Sequence, residues 1–335
     1  LKNLPKVLEE TLEDSMLAPS FELEPSGLDR FAIDRLVDNS VTDFDLYLKV
    51  NRHFILYGGA GYKWSRDELT QLLRNGYSHF FVMMADMSKA QMYEQMSRLP
   101  QIEKNLAPPE RIKHIEDVGH HFTKCLYAGE ITPSAVATAE RISQAMVDCI
   151  QEDRGCVKNL TGLSDHDAYT YYHSVRVSAF AVALASQMGM SSAADLNQVA
   201  IGGLFHDVGK KNVPLDLINK TGPLTDAEWA LMRAHPQSGL LLIKDSVLSM
   251  VSREIVVHHH ERLNGTGYPD GLSKGSLLPE VQIATVADIF DALTSSRNYQ
   301  RRRTRYEALD FMKHKLLGTE ISLDVFKALV QCLAT

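Results

Sequence analysis

Phe44, Leu46, Leu48 and Val50 alternate with Asp45, Tyr47 and Lys49, the period-two pattern of a strand with one buried face. His53 to Tyr57 supplies a hairpin partner, and Gly58 to Gly61 breaks the pattern as a plain turn, since it lacks the Lys-Ser/Thr ending of a phosphate loop. Ser65-Arg66-Asp67-Glu68 reads as a capping box opening a helix that Gly76 closes, and Phe80 to Met84 reads as the next strand. From Lys89 to Ile150 the periodicity is helical, interrupted at Pro108-Pro109 and between Gly129 and Pro133. Beyond residue 155 it is helical almost throughout. His173 begins a helix with Val177, Phe180, Ala181 and Leu184 on one stripe. Thr225 to Glu228 caps the helix carrying His235, and Pro279 suits the first turn of the helix bearing Asp288 and Asp291.

The pattern predicts an α+β chain: an acidic leader or linker over 1–40, a small α/β plus helical regulatory or docking domain over 41–150, and an all-α domain over 151–335. The length of 335 residues and the 44% hydrophobic content suit two domains with sizeable cores. The chain opens at Leu1 without a methionine, so native residues are expected to precede it. A net charge of -7 argues against a nucleic-acid polymer as partner. No apolar run approaches a membrane span and no signal peptide opens the chain. Cys125, Cys149, Cys156 and Cys332 form no CxxC pair, which suits free thiols in a cytoplasmic protein.

The chemistry lies in one ordered string: His173, then His206-Asp207-Val208-Gly209-Lys210, His235, His259-His260-Glu261, and Asp288-Ile289-Phe290-Asp291. Imidazoles and carboxylates without thiolate suit a pair of divalent metals that polarise a phosphate ester and generate hydroxide at neutral pH. Adjacent helical residues point about 100° apart, so His206 and Asp207 do not readily chelate one ion, but the two oxygens of Asp207 can bridge two. Iron or manganese fits open coordination best, with zinc, cobalt and nickel also possible. Lys210 adds a point charge for a phosphate oxygen or a leaving group. His120-His121 has no ligand partner one turn away and reads as a solvated helix face.

Residues 155 to 315 resemble the HD-GYP family, HD-superfamily phosphohydrolases that hydrolyse the bacterial messenger cyclic di-GMP. The resemblance rests on His206 to Lys210, His259 to Arg262, Gly265-Thr266-Gly267-Tyr268-Pro269, and Ala287 to Ser295 with Arg297. It implies an HD-type helical fold in which His173, His206 and Asp288 hold one metal. His235, His259 and His260 would hold the other, with Asp207 bridging. It further implies nucleotide contacts from Lys210 and Arg297, and a Gly265–Pro269 loop that lines the pocket through Gly267 and Tyr268 or docks cyclase (GGDEF) domains. Asp291 is expected to orient a ligand, and Glu261 to orient a histidine or anchor Arg262, rather than bind metal.

Three departures from the family pattern stand out. Tyr169 replaces a glutamate that holds a third metal in some members, so two ions are expected. Gln300 stands where a basic residue is more usual, with Arg301 to Arg305 supplying charge nearby. Glu320 to Asp324 replaces a histidine-rich segment. His258 is expected to be a bystander. The function implied is hydrolysis of cyclic di-GMP to pGpG and GMP. The rivals are a sensor or scaffold with little turnover, and a phosphodiesterase for another cyclic nucleotide.

Overall fold

The computed structural model describes residues 27–51, 53–103, 106–129, 131–160, 169–295 and 302–334. The chain divides into two compact units, Leu1–Pro100 and Gln101–Thr335.

The first unit is a four-stranded antiparallel sheet of β1 (Leu28–Ala32), β2 (Leu46–Val50), β3 (His53–Gly58) and β4 (His79–Met83), in the order β1-β4-β2-β3. Helices α1 (Arg66–Arg74) and α2 (Met87–Glu103) accompany it. The alternating residues of β2 fill the core with Phe44, Phe80 and Trp64. Half of the expected capping box forms at α1: Ser65 accepts from the Glu68 N–H, while the Glu68 carboxylate accepts from the Tyr62 hydroxyl instead.

The second unit is helical. It comprises α3 (Pro108–Ala128), α4 (Pro133–Glu152), α5 (Tyr169–Gln187), α6 (Ala193–Phe205), α7 (Leu215–Ile218), α8 (Asp226–Arg233), α9 (His235–Ile243), α10 (Met250–His258), α11 (Pro279–Thr294), α12 (Arg305–Lys315) and α13 (Leu323–Ala334). Helix α5 is the hub: residues 173–185 are all buried, which explains its apolar Phe180 to Ala185 run. A Cβ on Gly203 would lie 2.6 Å from the Ser178 Cα, so glycine lets α6 run against α5. That close approach brings His206 beside His173. Among the described residues no helix is long and apolar enough to cross a membrane.

Four boundaries differ from the sequence expectation. Residues 28–32, expected in a leader, form β1, with Phe31 buried in the sheet core. The strand is short and only one of its residues is fully buried, so no alternation announces it. The units part at Pro100 and not at 150: α3 and α4 bury Ile115, Val118, Phe122 and Met146 within the helical unit, where Phe122 meets Phe205. The third concerns His235. Helix α8 carries the full capping box of Thr225 and Glu228 but ends at Arg233, and His235 opens α9. Proline at 236 has no N–H for the Met232 carbonyl, which instead accepts from the His235 ring. His173 in turn lies within α5 rather than at its start.

Candidate metal centre

The histidines of the string lie mostly at helix ends, where the last carbonyls lack intrahelical partners. His206 Nδ1 lies 2.8 Å from the Gly203 carbonyl at the end of α6, and His235 Nδ1 lies 2.7 Å from that of Met232. His259 Nδ1 lies 3.1 Å from the Val256 carbonyl at the end of α10. A carbonyl can only accept, so each Nδ1 carries the proton and each Nε2 presents a lone pair. His173 is oriented from a different side. Its Nδ1 donates to Asp291 Oδ2 at 2.8 Å, and Asp291 lies one turn beyond Asp288 on α11.

The lone pairs converge in two groups, His173–His206–Asp288 and Asp207–His235–His259–His260, each with ligand atoms within 4.8 Å of one another. Asp207 faces both. Its Oδ2 is 3.6 Å from His173 Nε2 and 3.3 Å from His206 Nε2, while its Oδ1 is 3.2 Å from His235 Nε2 and 3.8 Å from His259 Nε2. Asp288 Oδ1 lies 3.1 Å from His173 Nε2, and its Oδ2 lies 3.8 Å from His260 Nδ1. His173, His206, Asp207, His235 and His259 are at most 1% exposed. His260 and Lys210 are partly open, so they mark the accessible edge.

The donor set fits divalent cations. His206 Nε2 and Asp207 Oδ1 are buried without a hydrogen-bond partner, a cost of about 1–3 kcal/mol each if nothing fills the site. His235 Nε2 and His259 Nε2 face each other at 3.3 Å with both Nδ1 protons already committed. A proton does not relieve this at His259, because burial, then His206 and His235, hold that ring well below the usual histidine range. Burial and His259 do the same to His260. Burial alone would raise the Asp207 carboxyl, but His206 and Lys210 outweigh it and hold it well below the carboxylate range. Asp288 is likewise lowered against its burial, chiefly by His173. Burial would lower His173, but Asp288 and Asp291 raise it; a cation can take the place of the proton between His173 and Asp288.

Lys210 Nζ lies 2.6 Å from Asp207 Oδ2. Tyr268 stacks on His260, with centroids 4.7 Å apart, and so places the loop beside the centre. Glu261 does not orient a histidine. Its carboxylate accepts from the backbone N–H groups of Asp270, Gly271 and Leu272 at 2.8, 3.0 and 3.0 Å, which ties down the segment after Pro269. A Cβ on Gly267 would meet the Glu261 Cα at 2.4 Å, so glycine is needed where the loop crosses its own root. His258 stays outside both groups, bonded to Glu254 and Asp270. His120 stacks on Tyr172 and is lowered to about 4, mainly by burial. Arg297, Gln300 and Arg301 lie outside the described residues, as does the side chain of Tyr169. Arg303 lies over Phe311, and Arg305 donates to the Lys158 carbonyl.

Two supports came from one helix, α3, that carried no sequence signal. The Tyr127 hydroxyl on α3 donates to the Asp207 carbonyl at 2.7 Å. Glu116, also on α3, pairs with Arg176 at 2.5 Å. Arg176 reaches Ser295, which donates to the Asp291 carboxylate that holds His173. A buried aromatic or carboxylate at helical spacing reads as core or as an ion pair, and only the fold reveals which carbonyl or arginine it meets.

Residues 159–317 match the family model described as HD domain. A cyclic di-GMP phosphodiesterase of Pseudomonas aeruginosa, PA4108, is 35% identical over 214 residues, 60% of this chain and 51% of that protein. The helical unit is thus similar to HD-domain proteins. A 3'3'-cGAMP-specific phosphodiesterase 3 of Vibrio cholerae is 36% identical over 166 residues, 49% of this chain and 35% of that protein. The chain thus spans about half, or less, of the length of these curated relatives. In fold, the chain resembles the solved structure of Bd1817, a HDG"Y"P protein from Bdellovibrio bacteriovorus. The TM-score is 0.64 at 20% identity, covering 92% of this chain and 100% of that one.

Proposed function

We propose that the helical unit is an HD-GYP metal-dependent phosphodiesterase that hydrolyses cyclic di-GMP to pGpG, and to GMP after a second round. The observation that carries this reading is Asp207. Its carboxylate turns one oxygen to the His173–His206–Asp288 group and the other to the His235–His259–His260 group. His173, His206 and Asp288 would hold one ion and His235, His259 and His260 the other, with Asp207 shared. Iron or manganese suits the nitrogen and oxygen donors. Bound there, the ions would supply Lewis-acid polarisation of the phosphoryl group and a nucleophile at neutral pH.

The protein's own residues do the positioning. The carbonyls of Gly203, Met232 and Val256, with Asp291, fix the tautomer of four histidines. Tyr127 anchors the Asp207 backbone, which limits how far the shared carboxylate can swing. Lys210 keeps a positive charge at the partly open edge, suited to a non-bridging phosphate oxygen. Arg297, Gly267 and Tyr268 complete the nucleotide contacts in this reading. The Gly265–Pro269 loop also offers a docking surface to a GGDEF domain, and the sheet unit is a regulatory domain in a cytoplasmic protein.

A second reading changes only the substrate: the similarity to a cGAMP-specific enzyme favours a mixed cyclic dinucleotide. To test both, protein loaded anaerobically with iron(II) or manganese(II) is given cyclic di-GMP or 3',3'-cGAMP and the products are separated by chromatography. Appearance of pGpG, lost in His206→Ala, is expected. Hydrolysis of cGAMP alone would move the substrate assignment, and intact nucleotides with both metals bound would leave a binding module.

A further inference from the structure

The stack that begins at His260 continues outward. Beyond Tyr268, the Arg233 guanidinium lies 5.7 Å from the Tyr268 ring centroid and 5.5 Å from that of Trp229. Helix α8 carries both Trp229 and Arg233 and ends beside His235, so it delivers an indole and a guanidinium to the rim of the metal centre. An arginine over an aromatic residue four positions earlier is an ordinary helix-surface pair. Two further features set this one apart. Arg233 also reaches a ring from the Gly265–Pro269 loop, and among the described residues it has no carboxylate within ion-pair distance. Trp229, 44% exposed, presents a large aromatic surface to solvent beside it.

We propose that Trp229 and Arg233, together with Tyr268, form a purine-base subsite at the rim of the His235–His259–His260 group. The chemistry that fits is a nucleobase with an acceptor edge. Trp229 offers a face for stacking, and the guanidinium fork matches paired acceptors such as O6 and N7 of guanine. A phosphodiester seated at Asp207 and Lys210 has its bases directed away from the buried ligands, and the accessible rim is where this platform stands. The inference rests on the phosphodiesterase reading and adds to it a determinant of which nucleotide binds.

The test is steady-state kinetics of manganese-loaded full chain, comparing wild type with Trp229→Ala, Trp229→Phe, Arg233→Ala and Arg233→Lys. Each is measured with cyclic di-GMP and with bis(p-nitrophenyl) phosphate, a diester without a purine. The two alanine variants are expected to raise KM for cyclic di-GMP about 10-fold, with kcat nearly unchanged and hydrolysis of the purine-free diester at wild-type level. Trp229→Phe should restore most of the affinity, and Arg233→Lys little of it. Wild-type KM in both alanine variants, or an equal loss on both substrates, would overturn the subsite while leaving the phosphodiesterase reading intact. Wild-type protein that cleaves bis(p-nitrophenyl) phosphate but neither cyclic di-GMP nor 3',3'-cGAMP would overturn the substrate reading, and the subsite with it.

Discussion

Replacing Gly209 by alanine should separate the two halves of the metal centre. Gly209 lies two residues after Asp207, and its Cα faces the first turn of α9. A Cβ there would sit 1.9 Å from the His235 carbonyl oxygen and 2.5 Å from the Gly239 nitrogen. Both are backbone atoms, so no rotamer change relieves the clash. Ordinary contact begins at 3.4 Å, so the segments must part by about 1.5 Å. His235 Nε2 now lies 3.2 Å from Asp207 Oδ1, and α9 carries that ring outward as it retreats. Overpacking of this kind costs about 1–3 kcal/mol of stability. A displacement of about 1 Å at a reacting centre costs roughly a hundredfold in rate. Gly209→Ala should therefore fold with a lowered melting point, lose the ion held by His235, His259 and His260, and turn over cyclic di-GMP about a hundredfold more slowly. Metal per chain by plasma mass spectrometry and product chromatography read the outcome. Gly275→Ala, where a Cβ meets nothing within 4 Å, is the control. Wild-type metal content and turnover in Gly209→Ala would refute the claim that this contact sets the distance between the groups.

Three other expectations follow from single contacts. Asp291→Asn removes the charge that fixes the His173 tautomer and should weaken metal binding by about 10- to 100-fold, read by competition with a chelating dye; unchanged affinity would make Asp291 a packing residue. Glu261→Ala strips three backbone N–H groups of their acceptor and should cost about 3 kcal/mol. Faster hydrogen exchange at Asp270, Gly271 and Leu272 should accompany it, with both ions retained; loss of metal would show that Glu261 acts on the centre itself. Glu116 gives a pH signature. Burial outweighs Arg176 and pushes its carboxyl from 4.5 up to about 7. The folded chain therefore holds that proton more tightly than the unfolded one. The stabilisation is complete below about pH 4.5 and is lost as pH rises through about 7, roughly 3 kcal/mol in all. Urea titrations of Glu116→Gln should lack this fall, and an unaltered pH slope would contradict the assignment.

The string of candidate ligands was legible because metal chemistry restricts residue type: a histidine or aspartate that must meet a cation cannot be exchanged for another polar residue. The grouping of the six candidate ligands around Asp207 came from the family resemblance, and the fold brings the same residues together in space. The geometry that holds them was less legible. The Thr225–Glu228 cap suggests one helix running through His235, but the spacing does not say that α8 stops before it and leaves the Met232 carbonyl to the His235 ring. Tyr127 and Glu116 lie dozens of positions from the residues they support, on a helix whose periodicity records only burial. Glu261 was expected to orient a histidine or anchor Arg262, yet its side chain turns to a loop nine to eleven residues ahead. Strand β1 was hidden by its length and its single fully buried side chain.

The most direct test of the whole account is a metal titration of the purified chain, following cyclic di-GMP hydrolysis against ions bound per chain. The account predicts two ions at saturation, with turnover appearing as the second site fills and both ions lost in Asp207→Ala. Full turnover with one ion bound, or three ions at saturation, would contradict a centre built around one shared carboxylate.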